Sequence, residues 1–317
     1  MISAMGTDAV SVVGVVATYR RPAPLRNLLA SLRGQELLSK IIVVDNGLDE
    51  QTQAVCRDAL VPVEYHRPER NLGCGGGVGR GLSIGLNDKG VTHFCLFDDD
   101  AEATPGALTS LVQGMTSAQA GLAVPLIINS QGHVDWFPGL TAALPWETVR
   151  RTDLTPEAYR KICGPEPVPF TWAPWPALML SAAVVRDHGF PRDDFWLCAE
   201  DLEYTLRLTH FHKGVMVPTA VCQHLPPASS RGDEVGGPHY LRFSLMLQNL
   251  SYISTRLPHA RRAFRHLPGN YRRFLRTFGW NRSTIGDVCS AFWHGFVCGK
   301  PAGIPGHDRL KRRFVAR

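Results

Sequence analysis

No Cys-x-x-Cys pair occurs among the eight cysteines, which stand at positions 56, 74, 95, 163, 198, 222, 289 and 298. That absence argues against zinc ribbons and thiol redox motifs. Several cysteines sit in apolar runs such as Phe94-Cys95-Leu96-Phe97, the setting of buried free thiols in a reducing cytosol rather than of a disulfide framework. Also missing is an uninterrupted apolar run long enough to cross a bilayer. Ala103 to Val134 and Pro167 to Val185 carry no formal charge, but the first is diluted by Gly, Ser, Thr and Gln. The second holds prolines at 167, 169, 174 and 176, whereas a span needs roughly 20 mostly apolar residues that stay helical. The N-terminus lacks a charged start followed by an apolar core, so no signal peptide is expected. Acids are scarce at the other end: residues 242–317 contain 15 Lys or Arg against Asp287 and Asp308 alone, a net +13. The whole chain carries +6, so residues 1–241 carry −7. An acidic body therefore precedes a basic tail. No internal repeat is found, and 44% hydrophobic with 20% charged residues describes an ordinary globular protein.

What is present first is alternation. Ser11 to Ala17 is a short, continuous, β-branched apolar run suited to a strand buried on both faces. Pro22 or Pro24 then suits the first turn of a helix whose Leu25, Leu28, Leu29 and Leu32 recur at helical spacing before Gly34. The same sequence of patterns returns: a strand at 40–44, a helix at 49–60, a strand at 61–65, a helix at 75–86 and a strand at 93–97. Such strand-helix units predict an open α/β sheet whose strand C-terminal ends line a ligand crevice. Farther on, Glu200 opens an expected helix with Tyr204, Leu206, Leu208 and Phe211 among its apolar positions and Gly214 as its close, and residues 238–280 read as helical.

Four features could carry chemistry. Asp98, Asp99 and Asp100 directly follow an apolar strand, and like charges so close repel unless a cation neutralises them. On an extended segment Asp98 and Asp100 would point the same way and offer hard oxygens to Mg²⁺ or Mn²⁺; the alternative is a solvated acidic turn before a helix starting near Thr104 and Pro105. Residues 73–81 hold six glycines, which allow either close approach to a phosphate or tight packing of a helix on the sheet. They miss the G-x-G-x-x-G spacing, which disfavours an NAD-dependent oxidoreductase. Glu200-Asp201 stands at a helix start as a base or as a simple cap, and His224 ends a β-like run as a metal ligand or an ordinary strand-end histidine.

Taken in order, Ala17-Thr18-Tyr19-Arg20-Arg21-Pro22, Val44-Asp45-Asn46-Gly47, Arg70-Asn71-Leu72-Gly73, Phe97-Asp98-Asp99-Asp100, Glu200-Asp201-Leu202-Glu203 and His224 resemble the family 2 inverting glycosyltransferases of the GT-A fold. Asn71-Leu72-Gly73 with its glycines, the Asp run and Trp175 ahead of the acidic pair are most similar to bacterial galactofuranosyltransferases and rhamnosyltransferases. The chain departs from that subgroup at Gln248-Asn249, where Arg-Asn is usual, and at Cys74, which replaces a common glycine.

The resemblance implies a Rossmann-like open sheet with helices on both faces, a catalytic domain over 1–240 and a basic helical region over 241–317. It implies that Thr18, Arg20 and Asp45 hold the nucleotide of a UDP- or dTDP-linked sugar, with Asn71 and Gly73 nearby. Asp98 and Asp99 would face the donor; Asp98, Asp100 and His224 would hold Mn²⁺ or Mg²⁺. Asp201 would be the base, with Glu200 and Trp175 meeting a glycan or lipid-linked glycan acceptor; the bland alternative for Trp175 is a core aromatic. The basic tail carries no recognisable nucleic-acid motif, so nucleic acid is not expected as a partner; a cytoplasmic chain with its tail on an anionic membrane surface fits better, and the bland alternative is a solvated helical face. A nucleotide-sugar-binding protein without turnover is the rival reading.

Overall fold

The computed structural model describes residues 9–136, 138–141, 153–225, 238–257 and 261–299. Strand β1 (Val12–Thr18) sends Val12 and Val16 into one apolar layer and Val13 and Val15 into the other, which is why its sequence is continuously apolar. Helix α1 (Pro22–Ser31) starts on proline and buries Leu25, Leu28 and Leu29. After β2 (Leu38–Asp45), Asp49 caps α2 (Glu50–Arg57) by accepting from the backbone N–H of Gln51 and Thr52. Strand β3 (Val63–His66), helix α3 (Gly73–Gly85) and strand β4 (His93–Phe97) follow. Parallel pairing of β1 with both β2 and β4, and of β2 with β3, gives the order β3-β2-β1-β4. Sheet growth reverses beside β1, and in open α/β sheets that switch point opens a crevice at the strand C-terminal ends.

The chain continues through β5 (Ala101–Ala103), α4 (Ala107–Ala118), β6 (Leu122–Ile128), β7 (Val134–Trp136), α5 (Pro156–Cys163), β8 (Val168–Phe170), β9 (Leu178–Ser181), α6 (Ala182–His188), α7 (Glu200–Thr209) and β10 (Gly214–His224). One sheet runs β3-β2-β1-β4-β9-β6-β10-β5, with β7 on β6 and β8 on β10. Helices α1, α2 and α4 pack on one face, while α3, α5, α6 and α7 pack on the other. Helices α8 (Pro238–Arg256), α9 (Arg261–Phe278) and α10 (Arg282–Phe292) then build a separate aromatic cluster around Tyr240, Phe243, Phe274 and Phe278.

Several expectations need adjusting. Gly214 opens β10 instead of closing the helix, which ends at Thr209, and Phe211 lies outside it with 61% of its surface exposed. Helix α4 begins at Ala107, after Gly106 adopts a left-handed φ of 75°. The glycines of α3 serve packing: a Cβ at Gly81 would stand 2.4 Å from Val15 Cγ1, and one at Gly85 2.5 Å from Phe94 Cε1. All eight cysteines are free, yet Cys289 and Cys298 are exposed. Among the described residues no helix is long and apolar enough to cross a membrane. The tail charges at 300–317 fall outside the described residues, as do the side chains of Arg261, Arg262 and Arg265.

Candidate active site

The registers of β1 set the geometry. Thr18 lies opposite Asp45, and Val16 opposite Phe97, so the chain segments leaving β1, β2 and β4 emerge side by side. Asp98, Asp99 and Asp100 form a turn in which the Ala101 N–H donates to the Asp98 carbonyl (3.1 Å), rather than the extended segment suggested by their spacing. The turn is needed because the chain must swing into β5, which pairs antiparallel with the end of β10. That pairing sets His224 opposite Ala101 and delivers the imidazole to the carboxylates. His224 Nε2 lies 3.2 Å from Asp100 Oδ1 and 3.7 Å from Asp98 Oδ2. One ligand atom each from Asp98, Asp100 and His224 falls within 4.8 Å of the others. Two carboxylate oxygens and an imidazole nitrogen so placed fit Mn²⁺ or Mg²⁺.

Asp99 turns away from this trio. Its Oδ2 accepts from the Thr18 hydroxyl (2.7 Å), and its Oδ1 meets Arg21 Nη1 at 2.5 Å. The other arm of Arg21 reaches Asp100 Oδ2 at 2.8 Å. Sequence reasoning chose Arg20 and passed over Arg21. Arg20 instead adopts a φ of 53°, is exposed, and lies over the Tyr19 ring at 5.3 Å. Two adjacent arginines look equivalent in sequence; the turn after β1 decides which one faces the acids. Burial works to raise the Asp100 carboxyl, but hydrogen bonds from His224 and Arg21 outweigh it and bring it down to about 2. Asp98, with burial and neighbouring acids against its charge, is pushed up despite His224. Burial also lowers His224, but Asp100 and Asp98 prevail and hold it above the ordinary imidazole value.

The other residues expected to hold the nucleotide shape backbone. Asp45 is fully buried; it accepts from the Gly47 and Asp49 N–H groups (2.8 and 3.0 Å) and from the Tyr65 hydroxyl (2.8 Å). Asn71 accepts from the Gly73 N–H (2.8 Å) at the start of α3. Asn46, quoted in the motif but given no role there, ties β2 to that start by accepting from Leu72 N–H and donating to the Gly73 carbonyl. Gly73 itself has a φ of 75°, and a Cβ there would meet the Trp196 carbonyl at 2.2 Å.

On the facing side stands the start of α7. Trp196, Cys198 and Ala199 lead into it with φ values of 43°, 68° and 64°, a run of left-handed residues that costs roughly 1–2 kcal/mol each. Glu200 is 6% exposed and its Oε2 has no hydrogen-bond partner. Burial, followed by the charge of Asp201, pushes its pKa up to about 8. Asp201 is more open; its Oδ1 accepts from the Leu202 N–H (2.7 Å), and burial raises its pKa to about 6. The charge of Asp201 adds to the effects that push Asp98 up. Glu203 is engaged elsewhere, with Arg207 at 2.8 Å. Trp175 is 3% exposed within the apolar layer shared with Tyr159 and Tyr204, so it sits as a core aromatic whose faces are covered.

Comparison with known proteins agrees with this architecture. Residues 14–171 match the Glycosyl transferase family 2 description. The first 349 residues of TarS from S. aureus superimpose with a TM-score of 0.58 at 14% identity, covering 96% of this chain and 83% of that one. The same protein in complex with UDP-GlcNAc gives 0.57 at 14% identity, covering 96% and 83%. GalNAc-T7 solved with UDP, GalNAc and Mn²⁺ gives 0.53 at 16% identity, covering 90% of this chain and 58% of that one. No curated protein matches the chain in sequence. The glycosyl transferase family 2 description thus matches the segment from β1 to β8, and the fold shared with the solved structures along nearly the whole chain is the GT-A fold.

Proposed function

We propose that the chain is a metal-dependent inverting glycosyltransferase that moves a sugar, with galactofuranose or rhamnose favoured, from a UDP- or dTDP-linked donor to a hydroxyl of a glycan or lipid-linked glycan. The observation that carries the reading is the convergence of one ligand atom each from Asp98, Asp100 and His224, with the part-buried Asp201 near enough for its charge to raise Asp98. A divalent cation held by that trio would supply positive charge for the departing diphosphate. Arg21 holds Asp100 ionised and in place, while Thr18 and Arg21 fix Asp99. Asp201 takes the acceptor hydroxyl proton as the acceptor oxygen attacks the anomeric carbon. The bond from that carbon to the diphosphate oxygen breaks, and its electron pair leaves on the oxygen. Attack opposite the leaving group inverts the centre in a single displacement.

The tail supports a membrane-surface location for the acceptor. Arg272, Arg273 and Arg276 are exposed on α9, and Trp280 and Trp293 are 66% and 57% exposed nearby in the chain. Basic side chains near anionic lipid contribute about 1 kcal/mol each, and exposed indole rings suit the interface. A thermal-shift panel tests the central reading: UDP- and dTDP-sugars with Mn²⁺ are expected to raise Tm, since a ligand at 100 times its Kd stabilises by about 2.7 kcal/mol. A shift with NAD and none with any nucleotide sugar would overturn it.

A further inference from the structure

The C-terminal helix α8 enters the site through one side chain. Asn249 is fully buried, and its Nδ2 donates to three carbonyls: Phe195 at 3.1 Å, Leu197 at 3.3 Å and Cys198 at 2.7 Å. These carbonyls lie in the 195–198 segment, whose Trp196 and Cys198, together with Ala199, take positive φ directly before Glu200 and Asp201. That segment has few local means of holding its shape. Its residues lack glycine's freedom at positive φ, and α7 has no side-chain cap at Ala199. The same face of α8 adds support on either side of Asn249. Leu245 packs with Trp196, Ile253 packs with Phe195, and the Tyr252 hydroxyl accepts from Arg192 Nη1 at 2.7 Å. From the opposite side, the Cys74 N–H at the start of α3 donates to the Trp196 carbonyl.

We propose that Asn249 is a positioning residue: by donating to the 195–198 carbonyls it locks the strained entry to α7 and thereby sets where Asp201 meets the acceptor. The proposal deepens the functional reading above, because it assigns a residue of the basic C-terminal region to the working geometry of the base. An amide suits this task since it offers two N–H donors on one rigid plane. An aspartate of the same shape would face carbonyl oxygens with acceptors only.

The test compares the unmodified chain with Asn249→Asp, Asn249→Ser, Asp201→Asn and the Asn249→Asp, Asp201→Asn pair. Serine retains one donor and serves as the milder variant should aspartate impair folding. Three quantities are measured: affinity and stoichiometry for UDP with Mn²⁺; nucleotide release from UDP-galactofuranose, UDP-GlcNAc or dTDP-rhamnose with Mn²⁺, water serving as acceptor; and amide hydrogen exchange over 193–204 against the β1–β4 strands. Turnover is expected to fall at least tenfold in Asn249→Asp and less in Asn249→Ser, with UDP affinity within twofold and unchanged stoichiometry. Faster exchange is expected at 193–204 alone. Adding Asn249→Asp to Asp201→Asn should cost little more, because both act through one carboxylate.

Full turnover in both Asn249 variants would overturn the proposal. Additive losses would do the same, as would parallel loss of UDP stoichiometry and strand protection, which marks a merely structural role. If the unmodified chain releases no nucleotide, the functional reading itself fails, and unaltered exchange at 193–204 would still remove Asn249 as the clamp.

Discussion

Asp98–Asp100 and Glu200–Asp201 are both runs of acids at the ends of regular elements, and they differ in whether a cation is paired with them. In the first run, Arg21 and His224 supply positive charge within hydrogen-bonding distance, and Asp100 stays ionised. In the second, no cation among the described residues is paired with either carboxylate, and burial pushes both pKa values upward. Adjacent acids therefore do not announce one chemistry. Cation pairing holds Asp100 low, whereas burial still raises Asp98 and Asp99 despite His224 and Arg21; where no such pairing is present, burial raises Glu200 and Asp201 alike.

The largest effect expected from breaking this contrast lies at Asp201. Asp201→Asn keeps the shape and removes the proton acceptor, so transfer should fall by roughly 10²–10⁴-fold while UDP and Mn²⁺ affinity persist. Steady-state transfer and calorimetric binding on the same preparation check it; near-normal transfer would move the base elsewhere. Next comes the cradle. Arg21→Gln leaves Asp99 and Asp100 largely buried without their cation, and loss of a partner in such a pair costs about 3 kcal/mol, read as a lower urea midpoint. Asp100→Ala should abolish the Mn²⁺ dependence of donor binding, measured by titration with and without the ion.

Glu200 gives a smaller effect of opposite sign. Its folded pKa of about 8 lies above the ordinary value of 4.5, so its stabilising share is complete below pH 4.5 and is lost as pH rises through about 8. Glu200→Gln removes that loss. The variant should match the unmodified chain near pH 5 and exceed it by on the order of 1–2 kcal/mol at pH 9, as urea unfolding at the two pH values would show. The smallest effects belong to the tail: each of Arg272→Gln, Arg273→Gln and Arg276→Gln should weaken association with phosphatidylserine vesicles by about 1 kcal/mol, and added salt should mimic the change. Sedimentation unaffected by both would leave the exposed arginines as a solvated face.

The strand-helix alternation through β4 was legible because burial on two faces demands continuous apolar strands and helices with one apolar stripe, patterns that survive in one dimension. The acidic run, Asp201 and His224 could be picked out by residue type and by position at element ends. Residue type could not say which of Arg20 and Arg21 faces inward, whether the α3 glycines pack or bind, or that Trp175 is covered. Each of those answers depends on a neighbour far along the chain: Asp99 for Arg21, Val15 and Phe94 for the glycines, the Tyr159 layer for Trp175. Asn249 is the extreme case, since its three acceptors lie more than fifty positions earlier. Sequence by itself determined the local periodicities and the stock of titratable groups. Only the tertiary structure decided which charges meet, because Coulomb interaction and burial depend on distance in space, and the registers of β1 and β10 set those distances.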